Sequence, residues 1–222
     1  MKKADVIVIG GSAAGITAAI TCRRHYPEKS ILLIRKEKQV LIPCGIPYIF
    51  GTVGSPDKNL IPDAVLEKNG IELVIDEVTD IGRIDRFVTT ANGERIGYEK
   101  LVLAIGSIPI IPPIPGVDMK NIFVVRKDVS YLQQMLEQLN RSSNLVIVGG
   151  GFIGAEFADE CRKNRHIKIT IVEKLSHCLM LTFDEDLCAV AEGIEKGYGL
   201  SLIHISEPTR PLYISYAVFC LK

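Results

Sequence analysis

Apolar positions along this chain come in short continuous runs, most of them closed by a glycine or proline break. Asp5-Val-Ile-Val-Ile9 is followed at once by Gly10-Gly-Ser-Ala-Ala-Gly15, and then by the helix formers Ile16-Thr-Ala-Ala-Ile20. That order predicts a strand, a tight turn and a helix from about residue 12 to 25, stopping before Pro27. Residues 31–34 predict a second, parallel strand, residues 59–69 a short helix closed by Gly70, and residues 71–75 another strand. Asn92-Gly93 is a hairpin turn signal between extended segments at 83–88 and 94–98. Residues 101–105 read as a fully buried strand because every position is apolar. Residues 128–140 have helical periodicity with Asp128 at the cap. Residues 144–148, 155–163 and 167–172 then repeat the opening order of strand, helix and strand, with a glycine turn at 149–154.

Composition narrows the class. At 222 residues and 47% hydrophobic, the chain is long enough for one or two domains with real cores. Lys+Arg and Asp+Glu are both 26, a zero balance that argues against nucleic acid or an anionic membrane as the main partner. The six cysteines stand singly, with no CxxC or zinc-like spacing, as in a reducing cytoplasm, and no metal site is expected. The longest uncharged run, 101–117, holds prolines at 109, 112, 113 and 115, so it cannot be a membrane helix. It predicts instead a stiff crossing between domains. A secretory leader would also begin with basic residues such as Met1-Lys-Lys, but Asp5 and the glycines interrupt its apolar stretch.

The chemistry sits at the two glycine turns. Gly10 lets the chain turn, the small residues Gly11, Ser12, Ala13 and Ala14 let backbone approach a pyrophosphate, and Gly15 lets helix pack on strand. Ser12 departs from the usual fingerprint, which has glycine there. The acid expected at the end of the second strand is replaced by Arg35, followed by Lys36 and Glu37. Glu37 is a substitute carboxylate, and the basic end offers contact to a phosphate instead. The second copy is complete: Gly149, Gly151, Phe152, Ile153 and Gly154 lie between strand and helix. Glu173 ends the next strand 24 residues after Gly149. A carboxylate there favours the free ribose hydroxyl of NADH over the 2′-phosphate of NADPH. Two dinucleotides are expected.

Cys44 lies between Pro43 and Gly45 at the start of an apolar, helix-like segment, where a helix dipole would favour its thiolate. A buried structural cysteine is the other reading of that position. Cys22 and Cys161 read as packing residues on helices, and His177, Cys178 and Cys188 make no metal-like group. From residue 200 the character changes. Residues 200–210 and 214–221 resemble translated sequencing-library adapter, with 211–213 in the place of the variable index. On that reading the native sequence stops near Gly199; a genuine strand-rich tail is the alternative.

With these motifs the chain resembles the FAD-dependent pyridine nucleotide–disulfide oxidoreductases, over residues 1 to about 199. It is most similar to the single-cysteine branch of coenzyme A-disulfide reductases, NADH oxidases and NADH peroxidases. Cys44-Gly-Ile-Pro-Tyr48 is the most specific segment. The resemblance implies an α/β fold of two Rossmann-like units of the three-layer ββα type, the second incomplete: an FAD-binding part over 1–115 and an NAD-binding part over 116–199. It implies that Cys44 is the redox-active cysteine. Ile49 stands where the dithiol branch has its second cysteine. Gly10, Gly11 and Gly15 would hold FAD, with Ala104 and Gly106 in a family Ala-Thr-Gly stretch whose middle residue here is Ile105. Gly149, Gly151, Gly154 and Glu173 would hold NADH.

Ala13 occupies the place of the peroxidase histidine, which tilts the expected acceptor toward disulfide or sulfur. Val40 stands where several coenzyme A-disulfide reductases have serine. The resemblance implies electron flow from NADH through FAD to Cys44 and on to a small disulfide, sulfur or oxygen-type acceptor. Family members are about twice as long and dimerise through a C-terminal domain absent here. An NADH oxidase or peroxidase, a reductase serving a protein partner, and an inactive nucleotide-binding fragment are the alternatives.

Overall fold

The computed structural model describes residues 1–204 and 218–221. Contacts divide them into one unit formed by Met1–Pro43 and Leu60–Ser107, and a second formed by Cys44–Asn59 together with the chain from Ile108.

In the first unit, β1 (Lys2–Ile9), α1 (Ala13–His25) and β2 (Ile31–Arg35) form the predicted βαβ opening. β1 and β2 pair in parallel, with Val6 opposite Ile31 and Ile9 opposite Ile34. Alternate residues serve opposite faces. Val6, Val8, Ile31 and Leu33 pack with Ile16 and Ala19 of α1. Ala4, Ile7, Ile9, Leu32 and Ile34 pack on the other face with Val88 and Ile96. Burial on both faces explains why these strands read as unbroken apolar runs. The register is pinned at the strand starts, where the Asp5 carboxylate accepts the Ser30 N–H and hydroxyl, both at 2.7 Å.

The middle of the chain carries, in order, α2 (Ile46–Ile49), α3 (Ala64–Lys68), β3 (Glu72–Ile75), β4 (Val78–Gly82), β5 (Phe87–Thr90) and β6 (Arg95–Leu103). The first sheet has the order β3-β2-β1-β6-β5-β4, with β4 and β5 antiparallel to their neighbours. Three sequence expectations change here. The helix over 59–69 shrinks to α3, because Pro62 interrupts it and Leu60 is drawn into a bridge with Leu41. The segments 94–98 and 101–105 are one strand, β6, and β4 carries no signal strong enough to have been read. Residues 101–105 are not fully buried: Leu103 is 60% exposed and Ile105, past the strand end, 75%.

The second unit continues with β7 (Ile122–Val124), α4 (Val129–Asn140), β8 (Asn144–Val148), α5 (Phe152–Arg162), β9 (Lys168–Glu173), α6 (Glu185–Gly197), β10 (Ser201–His204) and β11 (Val218–Leu221). Its sheet order is β10-β9-β8-β11-β7, with β8, β9 and β10 parallel and β11 antiparallel to β7 and β8. The adapter-like tail thus contributes β10 and β11, while residues 205–217 and 222 lie outside the described residues. Asp128 caps α4 as expected, accepting the Tyr131 N–H at 2.7 Å. That bond, with one from Ser130, holds the Asp128 carboxyl below the usual range. α6 was not anticipated; its signal was Asp184, which accepts the Leu187 N–H at 3.0 Å. No described helix is long and apolar enough to cross a membrane.

Candidate functional site: two glycine cradles and an exposed thiol

The same turn is built twice. Gly10 and Gly149 both have φ +107°, a backbone that side chains rarely adopt. Each donates its N–H to the strand that follows the glycine-turn helix, Gly10 to Ile34 O of β2 and Gly149 to Val172 O of β9, both at 2.8 Å. A Cβ on Gly15 would lie 1.9 Å from Gly10 O, and one on Gly154 would lie 1.9 Å from Gly149 O. These two glycines therefore set the closeness of helix to turn. The Ser12 departure is harmless to the fold. Ser12 and its counterpart Gly151 are both extended, at φ −92° and −76°, and a Cβ on Gly151 would meet nothing within 4 Å.

The helices behind the two turns are also left open in the same way. α1 and α5 have no side-chain cap and no acidic residue in the first turn, whereas α4 and α6 are capped by Asp128 and Asp184. Uncapped N–H groups at the positive end of a helix suit a phosphate. In the first turn the buried Ser12 hydroxyl has no partner, a further polar atom waiting for one. Ala13 and Ala14 are exposed there. Ala104 closes that cradle: its N–H donates to Ile9 O at 2.8 Å, and its carbonyl would stand 2.1 Å from a Cβ on Gly10. Gly106, two residues on, has φ +69°. In the second turn Phe152 and Ile153 are exposed, Phe152 lying edge-on to Phe183 at 5.7 Å.

The strand ends differ in chemistry. Glu173 is buried, its carboxylate accepting the Gly150 N–H at 2.6 Å and the N–H groups of Lys174 and Leu175 at 2.7 and 2.9 Å. In the matching place Arg35 is buried with its stem against Gly11, where a Cβ would lie 2.4 Å from its Cδ. Glu37 offers Arg35 its backbone carbonyl at 2.8 Å, and its side chain is exposed.

Cys44 is exposed in a 3-10 turn, Pro43–Gly45. The helix that follows, α2, is a single turn, so the expected dipole support for a thiolate loses its basis. What holds the segment is α5. Phe50 and Phe157, both fully buried, meet at 5.1 Å between ring centres. The buried Glu160 carboxylate accepts the Thr52 N–H at 2.7 Å and its hydroxyl at 3.1 Å, and pairs with Lys163 at 2.7 Å. Arg165 donates to Phe50 O. Burial pushes the Glu160 carboxyl up, but the bonds from Lys163 and Thr52 outweigh it and hold the group below the usual range. Sequence reasoning missed Glu160, Phe157 and Arg165; a carboxylate in the apolar stripe of α5 was the one available signal. Cys22 packs against the core of the first unit, and Cys161, Cys178 and Cys188 are buried. Burial pushes the Cys161 and Cys178 thiols up to about 12, and Cys188 is also raised.

A sequence profile described as pyridine nucleotide-disulphide oxidoreductase matches residues 4–210. The chain belongs to the pyridine nucleotide-disulphide oxidoreductase family. Members of this family are NAD(P)H oxidoreductases that use FAD. Among relatives, the NAD(P)H sulfur oxidoreductase (CoA-dependent) of Pyrococcus abyssi is 33% identical over 198 residues, covering 86% of this chain and 44% of its own. The NADH oxidase of Methanocaldococcus jannaschii is 31% identical over 213 residues, covering 91% and 47%. The solved NAD-dependent persulfide reductase from A. fulgidus matches with TM-score 0.81 at 27% identity, over 90% of this chain and 39% of its own. The chain thus spans about half the length of the curated relatives it matches, and the family profile's match, residues 4–210, includes both glycine turns.

Proposed function

We propose that the first cradle holds FAD, the second holds NADH, and Cys44 is the thiol through which the electrons reach a small disulfide or sulfur acceptor. The observation that carries this is the pair of turns with one backbone geometry, each opening an uncapped helix, in a chain whose exposed thiol belongs to the segment fastened by Phe157, Glu160 and Arg165. The names of the sulfur oxidoreductase and persulfide reductase relatives support the acceptor class. Ala13, in the place of the peroxidase histidine, supports sulfur over peroxide. Glu173 supports NADH, because a carboxylate at the strand end accepts from a free ribose hydroxyl and repels a 2′-phosphate.

FAD, when bound, supplies the two-electron relay between nicotinamide and thiol. The protein's part is at sulfur. The Cys44 thiolate attacks one sulfur of a disulfide; an Sγ–S bond forms, the substrate S–S bond breaks, and the departing thiolate takes a proton from water. Two electrons from NADH then cleave the mixed disulfide, release the second thiol and restore Cys44. The test is Cys44→Ser. The variant should lose reduction of coenzyme A disulfide while NADH still bleaches flavin absorbance. Disulfide turnover at the wild-type rate would reject the role of Cys44. A purified wild-type chain without flavin absorbance would favour the inactive-fragment alternative.

A further inference from the structure

Behind the second glycine turn the chain of residues 174–180 folds back against it. Leu179 donates its N–H to Gly150 O at 2.8 Å, and a Cβ on Gly150 would meet Cys178 Sγ at 2.4 Å. Leu179 has φ +61°, a backbone that side chains rarely adopt, so this loop keeps its shape only while it is held. Two other elements hold it. The buried Glu192 of α6 accepts the Cys178 N–H at 2.8 Å. His204 of β10 donates from Nδ1 to Leu175 O at 2.8 Å. A carbonyl can only accept, so Nδ1 carries the proton, and in the neutral ring Nε2 is a bare lone pair. It stands 3.2 Å from Glu192 Oε1, lone pair against carboxylate. His177 repeats the arrangement, with Nδ1 3.5 Å from Glu192 Oε2 and Nε2 3.5 Å from Glu185 Oε1. The two nitrogens facing Glu192 are buried and make no hydrogen bond. Each histidine thus stands between two acceptors, and only the imidazolium, with two N–H groups, turns both contacts into attraction.

We propose that His204, His177 and Glu192 form a proton-operated clasp on the loop behind the second turn, so that the cradle is held ready for NADH while the histidines are charged and loosens as they lose their protons. This rests on the assignment of NADH to the second cradle. The titratable groups around Glu192 are Glu185, Glu195 and Lys196 of α6, Glu173 of β9, opposite His204 in register, and the thiols of Cys178 and Cys188. Carboxylates dominate that surround, and Lys196 lies 3.8 Å from Glu192, so the two imidazolium charges balance the cluster. Burial pushes the Glu192 carboxyl up, but the Cys178 N–H and the two histidines outweigh it and hold the group below the usual range. With both rings neutral, Glu192 keeps a buried charge without these counter-ions, which is costly. The loop is therefore firmest below the range in which imidazole titrates, between about pH 5 and 8, and loosens as the pH rises through it. The two histidine side chains are 22% and 28% exposed, so both rings exchange protons with water. His177 and Glu192 precede the adapter-like segment, and His204 lies in it.

The test uses the 222-residue chain with FAD present and NAD⁺ as the probe, since NAD⁺ does not reduce flavin. Calorimetry at constant ionic strength should find NAD⁺ bound about tenfold more weakly at pH 8 than at pH 6. Glu192→Gln keeps an acceptor for the Cys178 N–H and removes the charge. His204→Asn keeps an amide donor for Leu175 O and cannot be protonated. Each should flatten the ratio to about twofold or less. Amide hydrogen exchange without nucleotide gives an independent reading. Protection of residues 174–180, corrected for intrinsic rates, should fall about tenfold from pH 6 to pH 8 in the wild type and stay level in Glu192→Gln. Should one variant fail to fold by circular dichroism, the other decides together with wild-type exchange. A wild-type ratio near one, or a tenfold ratio kept by Glu192→Gln, overturns the clasp and leaves the second-cradle assignment standing. A wild-type chain that binds no NAD⁺ at either pH overturns that assignment, and this inference with it.

Discussion

Replacing Gly154 by alanine should damage the fold of the second unit, while replacing Gly151 by serine should not. A Cβ on Gly154 would lie 1.9 Å from Gly149 O and 3.1 Å from Gly149 C, with Ile147 Cγ2 at 3.5 Å. Real Cβ contacts essentially never fall under 3.0 Å, so helix and turn must part by about 1 Å. Both partners are backbone, and neither can rotate away. The shift would pull α5 from its packing, where Phe157, Ala158 and Cys161 are buried. Overpacking costs about 1–3 kcal/mol, and rigid partners on both sides put this case near 3. With a urea slope of about 2 kcal/mol/M, the midpoint should fall by about 1.5 M. Far-UV circular dichroism is the suitable probe, as the chain has no tryptophan. Gly151→Ser copies Ser12 of the first turn and its Cβ meets nothing within 4 Å, so its stability should stay within about 0.5 kcal/mol of wild type. Equal destabilisation by the two variants, or none from Gly154→Ala, would refute the steric account of the motif.

Glu160→Ala should cost about 1–3 kcal/mol by urea unfolding at pH 7, since it leaves the Thr52 N–H without its acceptor and removes the buried partner of Lys163, which keeps only Asp159 as a carboxylate partner. Because the folded carboxyl is held below 4.5, that difference is fully present above about pH 4.5 and should shrink as the pH falls further. The same variant should speed maleimide labelling of Cys44 by loosening its segment. In the wild type, mass spectrometry after brief labelling should find Cys44 modified and Cys161 and Cys178 untouched until urea unfolds the chain, because burial holds those two thiols at about 12. Asp5 is held down to about 2, first by the Ser30 hydroxyl and N–H and then by Lys29. Its contribution is complete above about pH 4 and lost toward pH 2, so the lower melting temperature of Asp5→Asn at pH 6 should converge on wild type below pH 4.

The glycine turns were legible because their constraint is local: a positive φ at Gly10 or Gly149 and a helix packed at van der Waals limits need particular residues within six positions. The same holds for the Asp128 cap and for β1 and β2, whose apolar runs report burial on both faces. What the chain hid is long-range. Thr52 and Glu160 are 108 residues apart, and Phe50 and Arg165 are 115 apart. Spacing could not reveal that Cys44–Asn59 joins the second unit, although Cys44 itself stood out. Apolar composition also misled at 103, the last paired residue of β6, opposite Ile9, and at 105, past the strand end, which are exposed despite their hydrophobicity. Arg35 was visible as a departure, but its bonds to Glu37, Lys38 and Asp63 depend on how the loop after β2 returns.

The placement of Glu160, Phe157 and Arg165 gives α5 two tasks that its sequence keeps apart by position. Its first turn is bare, with Gly151 at the cap, no acid, and Phe152 and Ile153 exposed, and this is the end that the proposed function assigns to the nucleotide. Its last two turns and the residues just beyond carry the Phe157, Glu160 and Arg165 contacts to 50–52. At 1.5 Å per residue, about 16 Å of rigid helix separates the two ends. Substitutions at the far end should therefore leave nucleotide affinity alone and act on the thiol segment, and those at the turn should do the reverse. A helix whose ends answered to the same substitution would mean that the turn and the Cys44 segment are one site, and the separate roles given to them here would have to be merged.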